Sequence, residues 1–173
     1  MIYGNGDKYE GNFLRSEKSG QGRYNFSDGS YYEGNFVDDE RNGVGMMFFS
    51  NGDKYTGEWK DGVRSGKGVY EYQGGAIYEG EWRNNSRHGV GLMKFPNGDI
   101  YNGDWFEGEK NGVGFFQFHD GERYEGRWFK DMKHGKGRYI WATGELLEGE
   151  FFEDQIMKGH YMGPDGRKIE LKV

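Results

Sequence analysis

Tyr55-Thr56-Gly57-Glu58-Trp59 sets the pattern for the whole chain. Aromatic, any residue, glycine, any residue, aromatic recurs as Tyr9/Gly11/Phe13, Tyr32/Gly34/Phe36, Tyr78/Gly80/Trp82, Tyr101/Gly103/Trp105, Tyr124/Gly126/Trp128 and, weakened, Leu147/Gly149/Phe151. The interval is 23 residues without a slip. A Gly-x-Gly follows 11 residues after each Tyr, at Gly20/Gly22, Gly43/Gly45, Gly66/Gly68, Gly89/Gly91, Gly112/Gly114 and Gly135/Gly137. Self-similarity at such a period identifies a repeat array before any other reading is weighed.

Each repeat also carries a turn signal, among them Ser27-Asp28-Gly29, Ser50-Asn51-Gly52, Pro96-Asn97-Gly98 and His119-Asp120-Gly121. Alternating segments on both sides predict β-hairpins. A two-residue type I′ loop would demand positive φ at the β-branched Thr143 and leave Pro96 in a strand without an N–H to donate. A three-residue loop, a type I turn closed by a left-handed glycine, suits Pro96, Asn97 and Gly98 in that order. That register puts Tyr101, Gly103 and Trp105 on one face with Gly89, Gly91, Met93 and Phe95. The glycines leave gaps that neighbouring rings fill.

The fold class expected is all-β: an elongated single-layer antiparallel sheet of tandem 23-residue hairpins. Linkers such as Lys60 to Ser65 are read as short loops, with apolar Leu14, Val37, Phe106, Phe129 and Phe152 folding back over one edge of the aromatic face. At roughly 10 Å per repeat the sheet should run on the order of 70 Å. The array is read as one domain over 1–173, with a truncated first hairpin at 1–13, six hairpins over 20–151 and a C-terminal capping hairpin at 157–173. In the last of these, Ile169, Leu171 and Val173 stand where Tyr, Gly and the second aromatic belong, as in a repeat with no further neighbour to pack against.

Composition agrees with an array rather than a conventional core. Leu, Ile, Val and Phe make up less than a fifth of the chain, which also holds 33 glycines, and order must come from 13 Tyr, 13 Phe and 5 Trp. The absence of cysteine excludes a disulfide framework and fits a cytoplasmic protein. A net charge of −6 argues against nucleic acid, which needs a basic face, and gives no support to membrane association.

Catalytic constellations are missing. His88 and His134 recur two repeats apart, roughly 20 Å, too far to share a metal ion, and with His119 they read as surface loop histidines. Gly62-Val63-Arg64-Ser65-Gly66-Lys67 approaches a phosphate loop but is one residue short, has Gly68 where Ser or Thr must bind Mg²⁺, and opens no helix. Carboxylates form ladders instead of converging in a pocket that would shift one of a pair. The reading is no enzyme, no cofactor and no metal. Basic residues such as Arg15, Lys18, Arg41, Lys60, Arg64 and Arg87 are read as lining a loop margin, interleaved with acids that would offset attraction to anionic lipid.

The spacing from Tyr78 to Gly98, with Tyr-x-Gly-x-Trp, Gly-x-Gly and Asn-Gly in order, resembles the MORN repeat (membrane occupation and recognition nexus) over essentially the whole chain. That family's extra glycine survives only as Gly62 and Gly108, and its histidine only as His88 and His134. The resemblance implies a single-layer antiparallel β ribbon. It also implies a non-enzymatic scaffold associated with cytoskeleton or membrane. The alternatives it offers are a regulatory segment of a larger lipid kinase or lysine methyltransferase, or a phospholipid-binding module.

Positions that do not repeat indicate where a partner lands. On the face opposite the rings, the residue after each Gly-x-Gly reads Arg23, Met46, Val69, Leu92, Phe115, Arg138. Ile77, Val90, Ile100 and Val113 share that face and thicken the stripe. Such a patch rimmed by polar residues marks an interaction site, here for an amphipathic helix, a cytoskeletal protein or a second copy in a homodimer.

Overall fold

A computed structural model describes residues 1–172; Val173, the last position of the expected capping hairpin, lies outside the described residues. The chain divides into two compact units, Met1–Ser86 and from Arg87 onward. Seven strands build the first: β1 (Lys8–Leu14), β2 (Glu17–Asn25), β3 (Tyr31–Val37), β4 (Glu40–Phe48), β5 (Lys54–Lys60), β6 (Val63–Glu71) and β7 (Ile77–Arg83). The second contains β8 (Ser86–Lys94), β9 (Ile100–Phe106), β10 (Glu109–Gln117), β11 (Arg123–Phe129), β12 (Met132–Ile140), β13 (Leu146–Phe152), β14 (Gln155–Met162) and β15 (Lys168–Lys172). Within each unit every strand pairs antiparallel with the next in sequence. The fold is therefore all-β, an open antiparallel sheet of tandem hairpins, with no helix among the described residues.

The three-residue turn is the one the sequence demands. The Phe95 N–H donates to the Asp99 carbonyl at 2.9 Å, and Gly98 N–H donates back to the Phe95 carbonyl at 3.0 Å. Gly98 closes the loop at φ 94°, a conformation that costs a residue with a Cβ. Met93 then faces Tyr101, Gly91 faces Gly103 and Gly89 faces Trp105, so the rings and glycines share a face as expected. The last hairpin uses the same turn over Pro164, Asp165 and Gly166, placing Ile169 opposite Tyr161 and Leu171 opposite Gly159.

The linkers differ from the expectation. Lys60 to Ser65 is not a loop: Lys60 pairs with Val63 around the two-residue turn Asp61-Gly62, whose φ values of 49° and 78° are those of a type I′ turn. Between the pairs Gly57–Gly68 and Trp59–Arg64 the register shifts, leaving Glu58 opposite Ser65, Gly66 and Lys67 in a bulge. Most of these tight turns were hidden because they place non-glycine residues at positive φ, as at Asp38/Asp39 and Lys130/Asp131. Apolar residues beside them do not fold over the aromatic face. Leu14, Val37, Phe106, Phe129 and Phe152 lie at strand ends and remain largely exposed.

Burial centres on six tyrosines. Tyr9, Tyr32, Tyr55, Tyr78, Tyr101 and Tyr124 are fully buried although the sheet is a single layer. Each ring lies flat over the glycines of its own and the next strand: a Cβ on Gly68 would sit 2.4 Å from Tyr55 Oη and 2.5 Å from its ring edge. The hydroxyl donates to a backbone carbonyl three residues on, as from Tyr55 to Glu58 at 2.9 Å, so burial leaves no orphaned donor. Edge-to-face contacts then link repeats. Tyr55 meets Trp59 at 5.2 Å and the following repeat's Trp82 at 5.3 Å, and Tyr101 meets Trp105 and Trp128 at 5.1 and 5.4 Å. Such pairs contribute about 0.5–1.5 kcal/mol each beyond burial. Trp59, Trp105 and Trp128 indoles close the lattice by donating to the carbonyls of Gly45, Gly91 and Gly114.

Candidate functional site

On the face away from the rings, all eight stripe residues of the sequence reading lie on the same side of their strands. In the first unit Met46 and Val69 are half-buried and Ile77 is exposed; in the second Val90 and Val113 are exposed, and Leu92, Ile100 and Phe115 are half-buried. The intervening strands interleave polar residues. Thr56 stands between Met46 and Val69, and Asn102 between Leu92 and Phe115, while Glu33, Glu79 and Glu125 continue the same row. The apolar side chains therefore occur every second strand, roughly 10 Å apart. Val44 and Val113, on the neighbouring row, are 66% and 59% exposed, high for β-branched residues in a sheet.

A second apolar row lies at the type I′ turns of the later unit. Phe106, Phe129 and Phe152 are about half exposed. His88 packs against Phe106, and His134 sits between Phe129 and Phe152 at ring distances of 5.6 and 5.2 Å. Both histidines are strand residues of β8 and β12 rather than loop residues, because their segments pair up to the tight turns. The buried Nδ1 of His134 has no hydrogen-bond partner among the described residues.

Lys18, Arg41, Arg64, Arg87, Lys110 and Lys133, among the basic side chains expected on a loop margin, occupy the aromatic face instead. Arg41 stacks on Trp59 with its guanidinium carbon 4.4 Å from the ring centroid, Arg64 on Trp82 at 4.6 Å, Arg87 on Trp105 at 4.3 Å, and Lys110 on Trp128 with Nζ at 4.4 Å. Lys18 and Lys133 lie over Tyr24 and Tyr139 in the same way. These cations cover the ring edge that the apolar linkers were expected to cover. Burial holds Arg41, Arg64 and Lys110 below their ordinary values.

Each cation meets the turn of the next repeat, 21 residues on. Asp39, Asp131 and Asp154 accept the backbone N–H of Lys18, Lys110 and Lys133, and their carboxylates also face the lysine charges, with Lys18 Nζ 3.1 Å from Asp39. Where the cation is arginine, the turn carries no acid at that position: Arg41 donates to the Gly62 carbonyl at 2.7 Å, Arg87 to that of Gly108, and Arg64 to Asn85. Lysine accompanies aspartate, and arginine accompanies glycine or asparagine. A long planar donor reaches a carbonyl, whereas a point charge needs a carboxylate.

Hairpin tips are fastened by a separate set. Tyr24 and Tyr70 donate to Asp7 and Asp53 at 2.7 and 2.8 Å, and the same two carboxylates accept the N–H of Ser27 and Gln73. The Tyr24 hydrogen bond holds Asp7 below the usual carboxylate range; burial, aided by Asp7, pushes Tyr24 up to about 12. Burial opposes the shift at Asp53, but the Gln73 N–H, Tyr70 and Asn51 outweigh it and lower its value.

Among the described residues no group of three or more His, Cys, Asp or Glu could hold a metal ion. Among the described residues no helix is long and apolar enough to cross a membrane. A groove of about 600 Å³ on the glycine-backed solvent face of β12–β15 mixes Lys136, Arg138, Lys158 and His160 with Glu148 and Glu150. Its charges pair among themselves, Lys158 with Glu150 at 3.1 Å and His160 with Glu148 at 3.8 Å.

A family model described as MORN repeat matches residues 9–31, 32–54, 55–77, 78–100, 101–123 and 124–145. Comparison with curated proteins finds no match. Among solved structures, the chain is similar to the SAS-4 (dCPAP) TCP domain of Drosophila melanogaster in complex with a proline-rich motif of Ana2 (dSTIL). That match has 16% identity and a TM-score of 0.56, covering 96% of this chain and 90% of that one. The TCP10 domain of Danio rerio CPAP in complex with a STIL peptide matches at 14% identity over 96% of this chain and 100% of that one, with a TM-score of 0.35. At these identities the first likeness concerns the fold alone, and the second carries no argument.

Proposed function

The chain belongs to the MORN-repeat family, and on that premise we propose that it is a non-enzymatic protein-interaction scaffold whose partner docks on the solvent face of the sheet. The observation that carries this reading is the row Met46, Val69 and Ile77 in the first unit and Val90, Leu92, Ile100, Val113 and Phe115 in the second, an apolar set left outside a core that the rings complete without it. Side chains recurring at about 10 Å with polar residues between them suit an amphipathic helix, whose residues seven apart advance by a similar distance. A cytoskeletal protein presenting such a helix is the partner class proposed, which would make the chain a cytoplasmic, cytoskeleton- or membrane-associated scaffold. In support, a protein of similar fold has been solved with a bound peptide motif.

The test is affinity capture with the full chain and with the Leu92→Asp/Phe115→Asp double variant, which must first be shown to unfold like the parent. A protein retained by the parent and lost by the folded variant supports the reading. Equal retention by both rejects the docking face. Appearance of a kinase or methyltransferase domain in the same natural chain would favour a regulatory segment instead.

A homodimer is the second reading, carried by the exposed Phe106, Phe129 and Phe152 row. Light scattering should give twice the 20.0 kDa chain mass, and Phe129→Asp should return it to 20.0 kDa. A monomer across a wide concentration range removes the dimer.

A further inference from the structure

We propose that the aromatic face of the first unit is a second docking site, for an acidic peptide in polyproline II conformation whose carboxylates pair with Arg41 and Arg64. This goes beyond the solvent-face reading and stands without it. A groove of about 260 Å³ opens on the ring face, lined by Tyr24, Phe26, Tyr32, Phe36 and Arg41. Arg41 and Arg64 are the cations of this face whose turn partner carries no carboxylate in the first unit, Gly62 for one and Asn85 for the other. Neither guanidinium makes an ion pair among the described residues. Asp39, which also lines the groove, is taken by Lys18 at 3.1 Å, and Glu40 makes no ion pair there. Arg41 spends one N–H on Gly62, and Arg64 spends two on Asn85, with the Tyr70 phenol beside it. Each retains donors of the five a guanidinium carries.

The Arg64 charge adds to the burial that lowers Arg41. A pair of like charges, held on rings and without an ion-pair partner among the described residues, is complementary to two acids at matching separation. Arg41 and Arg64 occupy equivalent positions in adjacent repeats, two strands or roughly 10 Å apart. A polyproline II chain rises about 3.1 Å per residue with three residues per turn, so acids three apart share a side at about 9 Å. Intervening prolines would lie on the half-buried rings of Phe26, Phe49 and Tyr72, the aromatic surface such helices use.

The experiment is fluorescence anisotropy on the full chain with labelled synthetic peptides built on Glu-Pro-Pro-Glu, against the otherwise identical Gln-Pro-Pro-Gln peptide. The glutamate peptide should bind, weaken as salt rises, and exceed the glutamine peptide by about tenfold or more, as loss of charge-assisted hydrogen bonds implies. This comparison needs no variant to fold. Arg41→Glu/Arg64→Glu, if folded, should lose the glutamate peptide and gain Lys-Pro-Pro-Lys. Equal affinity for the two wild-type probes, or no binding of the glutamate peptide, overturns the proposal. So does a folded Arg41→Gln/Arg64→Gln variant that binds the glutamate peptide as tightly as the parent. Vesicles of phosphatidylserine that bind the chain through these arginines, with the glutamate peptide failing to bind, would assign the charges to a membrane instead. Because the probes address only the ring face, their failure leaves the solvent-face capture experiment unaffected.

Discussion

Gly68→Ala tests the packing that makes a single-layer sheet stable. The added Cβ would stand 2.4 Å from Tyr55 Oη, 2.5 Å from Cε2 and 2.6 Å from Cζ, each well inside contact distance. The obstruction is a ring fully buried under Trp59 and Trp82, so it cannot be relieved by a flexible side-chain end. Either the ring stays and the sheet distorts, about 1–3 kcal/mol as in overpacked cores, or the ring leaves and forfeits burial worth about 3–5 kcal/mol. The expected loss is about 3 kcal/mol. Gly74→Ala is the control, since nothing lies within 4 Å of its Cβ position and its φ is not positive. It should change stability by less than about 0.5 kcal/mol. Urea unfolding followed by tryptophan fluorescence measures both, and Tyr55→Leu combined with Gly68→Ala should cost less than the sum of the singles because the clash partner is gone. If Gly68→Ala falls within about 0.5 kcal/mol of the parent, ring-over-glycine packing does not hold the sheet together.

Tyr55→Phe keeps the ring but deletes the hydrogen bond to Glu58, and should cost about 1 kcal/mol in the same assay. Asp131→Ala should destabilise by about 1–2 kcal/mol, because it removes the acceptor for Lys110 N–H and the short polar side chain that lets aspartate adopt the left-handed φ of 66°. Asp131→Asn keeps an acceptor for the Lys110 N–H, as Asn85 does for Arg64, but removes the carboxylate facing the Lys110 charge, so it should cost less than Asp131→Ala without being neutral. On the acid side, Asp7 and Asp53 are depressed below 3.8, so their contribution is complete above that pH and is lost as pH falls through the lower folded values. The urea midpoint should therefore hold from pH 7 to about 5 and decline below about 4, less steeply in Asp53→Asn. On the alkaline side, Tyr24 and Tyr32 are raised from 10.0 to about 12, and stability should fall as pH rises from 10 towards 12.

The repeat, the hairpin turns and the shared face of rings and glycines were legible because each has a strict local cause. Pro96-Asn97-Gly98 admits one loop geometry, and that geometry fixes which side chains share a side. The tight turns were not legible, since Lys130-Asp131 and Arg15-Ser16 carry none of the glycine signals that positive φ normally imposes. Misreading them as loops moved the basic residues to a margin and concealed their stacking on the rings. A signal was present in the sequence: Lys18, Arg41, Arg64, Arg87, Lys110 and Lys133 recur at the repeat period, and aspartate follows 21 residues after each lysine. The tip staples leave a similar trace, with an acid 17 residues before Tyr24, Tyr70 and Tyr139. On the solvent face, the apolar residues were readable repeat by repeat. Thr56 and Asn102 between them become visible only when strands rather than repeats are counted.

The chain contains no cysteine, so single introduced thiols report directly on whether the solvent face is open and where a partner lands. Val44→Cys and Val113→Cys stand on that face at positions 66% and 59% exposed, whereas Met47→Cys and Met93→Cys lie under the rings at 6% each. Labelling by a maleimide should be fast at the first two and slow at the others in the free chain. On addition of a captured partner, Val44→Cys and Val113→Cys should become protected. Slow labelling of these two in the free monomer, or unchanged labelling in the complex, would contradict the account.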